Sequence, residues 1–331
     1  MSATSDVIVR HDDRVRLVSA VFALSSAVDD AHAQRPHSAH AHARATRKKL
    51  AGFKQHPAVT ALEQLLQEGA PVEAIFGYAL RLKTPSLHIE HSPRWAPLQW
   101  DEQLRDFQEI TNLAAWWKAE DGPWTTSLSQ AQHMFTQVNM RQFLAPFVDT
   151  SDAQFILLPN ILYPAEHEIG ARVGHEITCI VPPRPAWGDS PPWPFDEDPV
   201  HIYRAAVGQY TRLLMRDYLA HHENQVNEAS LIELPVSDSV KEQNPAWLDQ
   251  FLALFVSGVV AIFLEDRVNT AEAKAYTLME SKVYGMAMLP GVISVLRRYL
   301  NDLEAGKYSS FAEFLPLFPK QLRVAKRIYS L

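Results

Sequence analysis

"AQFILLPNILYPAEHEIGARVGHEITCIVPP", residues 153–183, decides the fold. Two runs within it, "AQFILLPNIL" and "ARVGHEITCIVPP", are short, β-rich and bounded by Pro and Gly, which is the pattern of strands. The flanking sequence reads differently. The chain has 331 residues and only 12 glycines, with Ala and Leu plentiful, so most of it should be helical. Helices are expected at "RLVSAVFALSSAVDDAHA", "AHARATRKKLAGFKQ", "WDEQLRDFQEITNLAAWWKAE" and "TTSLSQAQHMFTQVNMRQFLAPFV". "PAVTALEQLLQEG" begins on proline and ends on glycine, and "PVEAIFGYALRL" repeats the opening. Beyond the strands, "VHIYRAAVGQYTRLLMRDYLAHH", "PAWLDQFLALFVSGVVAIFLED", "GVISVLRRYLNDLEAG" and "FAEFLPLFPKQLRVAKRIY" resume helical spacing. The expected fold is α+β, mainly helical, with a small mixed or antiparallel central sheet. One domain over 1–331 is expected, divisible into a mainly helical part, 1–147, and a part carrying the sheet and later helices, 148–331.

Charge and composition narrow the partners. The net charge of −7 disfavours nucleic acid, because phosphate binding needs a basic face. The local basic run Arg44, Arg47, Lys48 and Lys49 reads as a solvated helix face. A single cysteine, Cys179, excludes an internal disulfide and fits a reducing, cytoplasmic setting. "FLALFVSGVVAIFL" (251–264) carries no charge, but it falls short of the roughly 20 residues a bilayer needs. It reads as a buried core helix, with no membrane as partner. The early apolar stretch 17–28 lacks the layout of a signal peptide. Residues 182–199, "PPRPAWGDSPPWPFDEDP", hold seven prolines and should form an irregular loop.

Three His-Glu dipeptides begin at His167, His175 and His222. The zinc-hydrolase spelling is His-Glu-x-x-His on a helix, which sets both imidazoles on one face around the water-activating Glu. Four residues after these histidines stand Ala171, Cys179 and Val226, none of them a histidine. On one strand His167 and His175 share a face but lie about 26 Å apart, and on a helix about 12 Å, so one zinc cannot touch both. Each pair reads as a strand-edge polar pair. "HIEH" (88–91) sits beside prolines in strand or loop. His37, His40 and His42 form a histidine-rich patch, of which His37 and His40 could share a helix face and trap a transition metal adventitiously. His221, His222 and Glu223 read as a helix C-terminal cap. The sequence holds neither a Gly-x-Ser-x-Gly elbow nor a Gly-rich phosphate loop.

Several stretches in order resemble a bacterial family of uncharacterised proteins related to gluzincin zinc peptidases. They are "DDRVRLVSAVFALS" (12–25), "KKLAGFKQHPAVTALEQLLQEG" (48–69), "PVEAIFGYALRL" (71–82), "FILLPNIL" (155–162), "GARVGHEITCIVPP" (170–183) and "SSFAEFLPLFPKQL" (309–322). The Phe-Lys-x-His-Pro-Ala-Val core at 53–59 is the most specific. The resemblance implies a small twisted sheet and a site helix, here "VHIYRAAVGQYTRLLMRDYL" (200–219). It places Ala206 and Val207 where the family has His-Glu, and Tyr210 where it has the second His. The next helix should carry a carboxylate ligand, and "FLALFVSGVVAIFL" has none. Ala, Val and Tyr cannot supply the three donors that catalytic zinc needs.

The leading expectation is therefore a non-catalytic, degenerate metallopeptidase-like protein without metal or cofactor, keeping a cleft for a peptide, protein or small molecule. His175, Glu176, His201, Trp187 and Trp193 would border that cleft, with a strand edge open to an extended peptide. One alternative is an atypical metal-dependent hydrolase whose ligands His167, Glu168, His175, Glu176 and His201 are brought together by folding. The other is a structural or regulatory interaction protein.

Overall fold

In the computed structural model of the protein, residues 5–35, 39–186 and 189–329 are described, for 326–329 the backbone alone. The chain divides into two compact units, Met1–Val138 with Gln154–Ile202, and Asn139–Ala153 with Tyr203–Leu331. The sheet thus groups with the helices that precede it in sequence, whereas the division at 147/148 set it with those that follow.

The first unit holds β1 (Val7–Val9), α1 (Asp13–Phe22), α2 (Ser26–Gln34), α3 (Ala41–Leu50), α4 (Pro57–Gln67) and α5 (Val72–Arg81). These are followed by α6 (Trp100–Ile110), α7 (Leu113–Ala119) and α8 (Asp121–Phe135). After the 139–153 segment, which contains α9 (Met140–Leu144), come β2 (Gln154–Pro159), β3 (Ile169–Val173) and β4 (Glu176–Val181). The strand order is β1-β2-β4-β3. β1 and β4 both run parallel to β2, while β3 runs antiparallel to β4 at the edge. The fold is α+β, mainly helical, with a small mixed sheet.

Two sequence expectations need correction. "ARVGHEITCIVPP" is a hairpin, not one strand. Gly174 at φ +59 takes the first central position of a two-residue turn, which demands positive φ and so favours glycine. His175 therefore lies in a turn, so a shared strand face with His167 has no meaning. The helices expected at 16–33, 100–120, 125–148 and 311–329 each break into shorter pieces. The break within 100–120 follows Asn112 at φ +50, a conformation asparagine tolerates better than most residues. Finally, Val7–Val9 form β1, a strand too short to carry a pattern of its own, which exists through parallel pairing with β2 far along the chain.

α1 is the hub of the first unit. Asp12 caps it, accepting from the Arg14 amide at 3.0 Å, and every residue from Val15 to Phe22 is buried. Such an all-round buried helix needs neighbours on each side, and α3, α4, α5 and α6 supply them. Ser19 on α1 accepts a buried hydrogen bond from the Asn160 side-chain amide just after β2, at 3.1 Å.

The second unit contains α10 from Tyr203 onward (the whole helix is Pro199–Ala220), α11 (Glu223–Ser230), α12 (Asp238–Gln243) and α13 (Trp247–Arg267). α14 (Thr270–Val283), α15 (Leu289–Glu304), α16 (Phe311–Phe314) and α17 (Phe318–Tyr329) complete it. Among the described residues α13 alone is long and apolar enough to cross a membrane, and 78% of its most apolar window is buried in the fold. It is a core helix: Phe251–Leu264 are all buried. Phe251 and Phe255 meet Phe311 at ring distances of 6.2 and 4.9 Å, and Tyr299 donates to the Pro146 carbonyl at 2.6 Å. Gly258 lets α15 approach: a Cβ there would stand 2.7 Å from Val292 and 2.8 Å from Leu296.

Val259→Asp should lower unfolding stability by at least about 3 kcal/mol, since it buries an unpaired charge. Gly258→Ala should cost about 1–3 kcal/mol by overpacking the α13/α15 contact. Urea titrations check both; a wild-type midpoint for the aspartate variant would mean that α13 is not the core.

Candidate functional site

The positions aligned with the peptidase motif hold no open chemistry. Ala206, Val207 and Tyr210 on α10 are fully buried, as is Thr211. A Cβ on Gly208 would sit 3.8 Å from both Val256 and Val260, so this stretch of α10 packs closely on the acid-free surface of α13.

The residues expected to border a cleft are spread along the hairpin. Glu176 at the start of β4 accepts two bonds from Arg10, at 2.8 and 2.9 Å. The His175 carbonyl accepts from the Gln154 amide at 2.8 Å. His201, in the first turn of α10, has Nε2 2.7 Å from the Pro182 carbonyl, beyond the other end of β4. Six residues of extended strand, about 20 Å, separate these ends. His167 precedes β3 by two residues and lies at the His201 end. Folding thus does not gather His175 and Glu176 with His201. Among the described residues no three His, Cys, Asp or Glu side chains form a cation-binding group. Trp193 is half-exposed, with the Arg184 guanidinium 5.4 Å from its ring centroid, and Arg184 pairs with Asp198 at 2.8 Å. Trp187, like His37, lies outside the described residues.

The basic run on α3 keeps Lys48 and Lys49 exposed, as a solvated face would, but half-buries Arg44 and Arg47. Arg44, Arg47 and Lys48 line a cavity of about 500 Å³ together with His32, Lys54, Leu24 and Ala51. Lys49 alone turns away, 5.7 Å over the Trp116 ring. Asp29 bridges the floor, pairing with Arg47 and, at 2.7 Å, with Lys54. The Lys54 and Arg47 bonds hold its carboxyl below the usual range against the opposing effect of burial. Arg44 pairs at 2.7 Å with Asp189, whose side chain is fully exposed, and exposed pairs of that kind contribute little. Lys48 has no partner among the described residues. Four basic side chains therefore line the pocket, and the acids near them are Asp29, the exposed Asp189 and Glu166, which acts on His32.

His32 joins them as a neutral group. Its Nδ1 lies 3.2 Å from Arg47 Nη1, which can only donate, and its Nε2 lies 3.1 Å from the Tyr163 hydroxyl. That geometry assigns the lone pair to Nδ1 and the proton to Nε2. Burial, then Arg47 and Arg44, lower its pKa. Burial pushes Tyr163 up to about 12, so the phenol keeps its proton. An anion entering here meets rigid donors, because Arg47 is also fixed by the Ala23 carbonyl at 3.1 Å.

The N-terminus of α3 anchors this wall. His40 is its cap, Nδ1 accepting from the Ala43 amide at 3.3 Å. His42 is buried beside Glu120 at 3.1 Å, and its ring stands 6.1 Å from Trp124. The Arg16 guanidinium lies 4.6 Å from the Trp117 ring centroid and 4.4 Å from that of Trp124, a double cation–π contact in place of water. The Phe-Lys-x-His-Pro-Ala-Val core also has a structural account. His56 caps α4 through Ala58 N at 3.1 Å and reaches Asp106 at 3.0 Å, while Lys54 enters the pocket. His88 is held by Asp101 at 3.0 Å, and His221 bonds the Asp217 carbonyl at 2.7 Å at the end of α10.

Comparison of the chain with protein-family models, curated proteins and solved structures returned no match. The basic pocket is therefore carried by its own geometry. Its sequence signal was the i, i+3, i+4 spacing of Arg44, Arg47 and Lys48, which shows a shared face but not what stands opposite.

Burial, then His42 and Arg44, lower the His40 pKa to about 3. The unfolded chain takes up this proton near pH 6.5 and the folded chain resists it, so stability is full above 6.5 and falls as pH drops toward 3. Between pH 7 and 5 the wild type should lose about 2 kcal/mol more than His40→Asn, which keeps a capping oxygen but cannot titrate. Urea titrations at both pH values measure this; parallel losses would remove His40 as the cause.

Proposed function

We propose that the protein is a non-catalytic binding protein on a degenerate zinc-peptidase-like scaffold, and that it holds a small anionic ligand in the pocket of Arg44, Arg47, Lys48 and Lys54. One observation carries the ligand class: four basic side chains and a neutral, oriented histidine line about 500 Å³, with Asp29 gripping two of the bases and Glu166 acting on His32 from nearby. That size suits a small metabolite. Arginine forks match phosphate and carboxylate oxygens, and Leu24 and Ala51 offer apolar contact to the rest of the molecule. The non-catalytic reading is supported by the buried Ala206, Val207 and Tyr210 and by the distance between His175 and His201. The scaffold reading is supported by the resemblance and by the order of mixed sheet, antiparallel edge strand, loop and long helix. A cytoplasmic setting is supported by the single cysteine, buried in β4.

Isothermal titration with inorganic phosphate and with citrate at low ionic strength tests the reading. Saturable binding is expected, weakening with salt and falling on the order of tenfold or more in Lys48→Glu or Arg44→Glu. Lys49→Glu, one residue outside the pocket, should bind as the wild type does. Absence of saturable binding to both anions, or equal loss in the Lys49 control, refutes the pocket. Zinc-dependent, chelator-sensitive peptide hydrolysis would refute the non-catalytic assignment.

A further inference from the structure

A different surface, on the second unit, points to self-association. Exposed large apolar side chains are scattered singly over most of the described residues, but four fall within seven positions: Leu278, Met279, Val283 and Tyr284, exposed by 59, 39, 68 and 52%. Clustering of this kind marks an interaction surface, where isolated exposed apolar residues do not. The inner face of α14 is already used, since Ala273, Tyr276 and Glu280 are buried against the unit. The outer face presents Ala271 and Ala275, both exposed, in line with Leu278, Met279 and Lys282. Beside it lies a groove of about 600 Å³ with an apolar floor of Ala261, Pro290 and Ile293 beside Leu278, and with Lys274, Lys282 and Glu265 at its border.

The charges on this face identify the occupant. Glu272 and Lys282 have no ion-pair partner in their own chain among the described residues. In an antiparallel pair of identical helices meeting at position 277, Glu272 of one copy lies opposite Lys282 of the other, and the two-fold axis repeats the pair. The same register sets Ala275 opposite Met279, small against large, with Leu278 beside the axis. A surface that complements itself in charge and shape fits an isologous two-fold contact. We infer that α14 is the dimerisation helix of this protein and that its partner is a second copy of the chain, packed antiparallel through Ala275, Leu278, Met279, Glu272 and Lys282.

Sedimentation velocity of the full chain over the micromolar range tests this. A concentration-dependent dimer is expected. Leu278→Glu should give a monomer with unchanged circular dichroism, since the side chain is exposed. Glu272→Lys and Lys282→Glu should each weaken the dimer on the order of tenfold by turning two attractive pairs into repulsive ones. The double exchange Glu272→Lys/Lys282→Glu should restore wild-type association, which a merely sticky surface would not do. A monomer at every concentration, a dimer indifferent to Leu278→Glu, or a double exchange as weak as the single variants overturns the inference.

Discussion

Fourteen consecutive residues without a charge, Phe251–Leu264, impose the architecture of the second unit. A helix apolar on every side has no face to give to water, so it must be enclosed. The enclosure follows from side-chain volume. Gly258 removes a Cβ where α15 crosses, and the phenylalanines of α13 meet those of α16 and α17 in tilted and edge-to-face contacts. The first unit solves the same problem around α1, which is buried from Val15 to Phe22. There the enclosing elements include a sheet: Ile156 and Leu158 of β2 belong to the same buried cluster as the α1 side chains, and Ser19 meets Asn160 just after β2.

Enclosing α1 has an electrostatic consequence. Its first turn brings Arg16 inside, and two tryptophan faces accept the guanidinium. This places α7 and α8 against the N-terminus of α3, where His40 and His42 are buried. α3 is thereby pinned at one end, and its remaining length is free to present Arg44, Arg47 and Lys48 to one side. Like charges on adjacent turns repel, and Asp29 offsets part of that repulsion by gripping Arg47 and Lys54 together. The pocket remains cationic, so a bound anion would relieve the repulsion that remains. This links the core of the unit to its proposed site: the same helix supplies the buried cap and the basic wall.

Much of the helical framework was legible from local pattern. α4, α5, α10, α13 and α15 fall where apolar spacing, a leading proline or a closing glycine put them. The strands at 154–159 and 176–181 were legible for the same reason. The hairpin was not, because one residue, Gly174, changes the direction of the chain without disturbing the apolar run around it. β1 was not, because three residues carry too little pattern and the strand exists only through its parallel pairing with β2. Of the candidate site, Arg44, Arg47 and Lys48 were visible as a basic run, while His32 and Lys54 gave no sign that they belonged with it.

The sequence by itself determined the class of fold, the core status of α13 and the absence of a His-Glu-x-x-His spelling from the 200–219 helix. Each of these depends on which side chains are present and on periods of two or 3.6 residues, both properties of the chain alone. The tertiary structure decided which surfaces the charges share. Arg47 and Lys54 converge because both reach Asp29, on another helix, and His175 and His201 are kept apart because the length of β4 lies between them. Convergence and separation of that kind arise from how elements fold back on one another, and no spacing within a single element contains them.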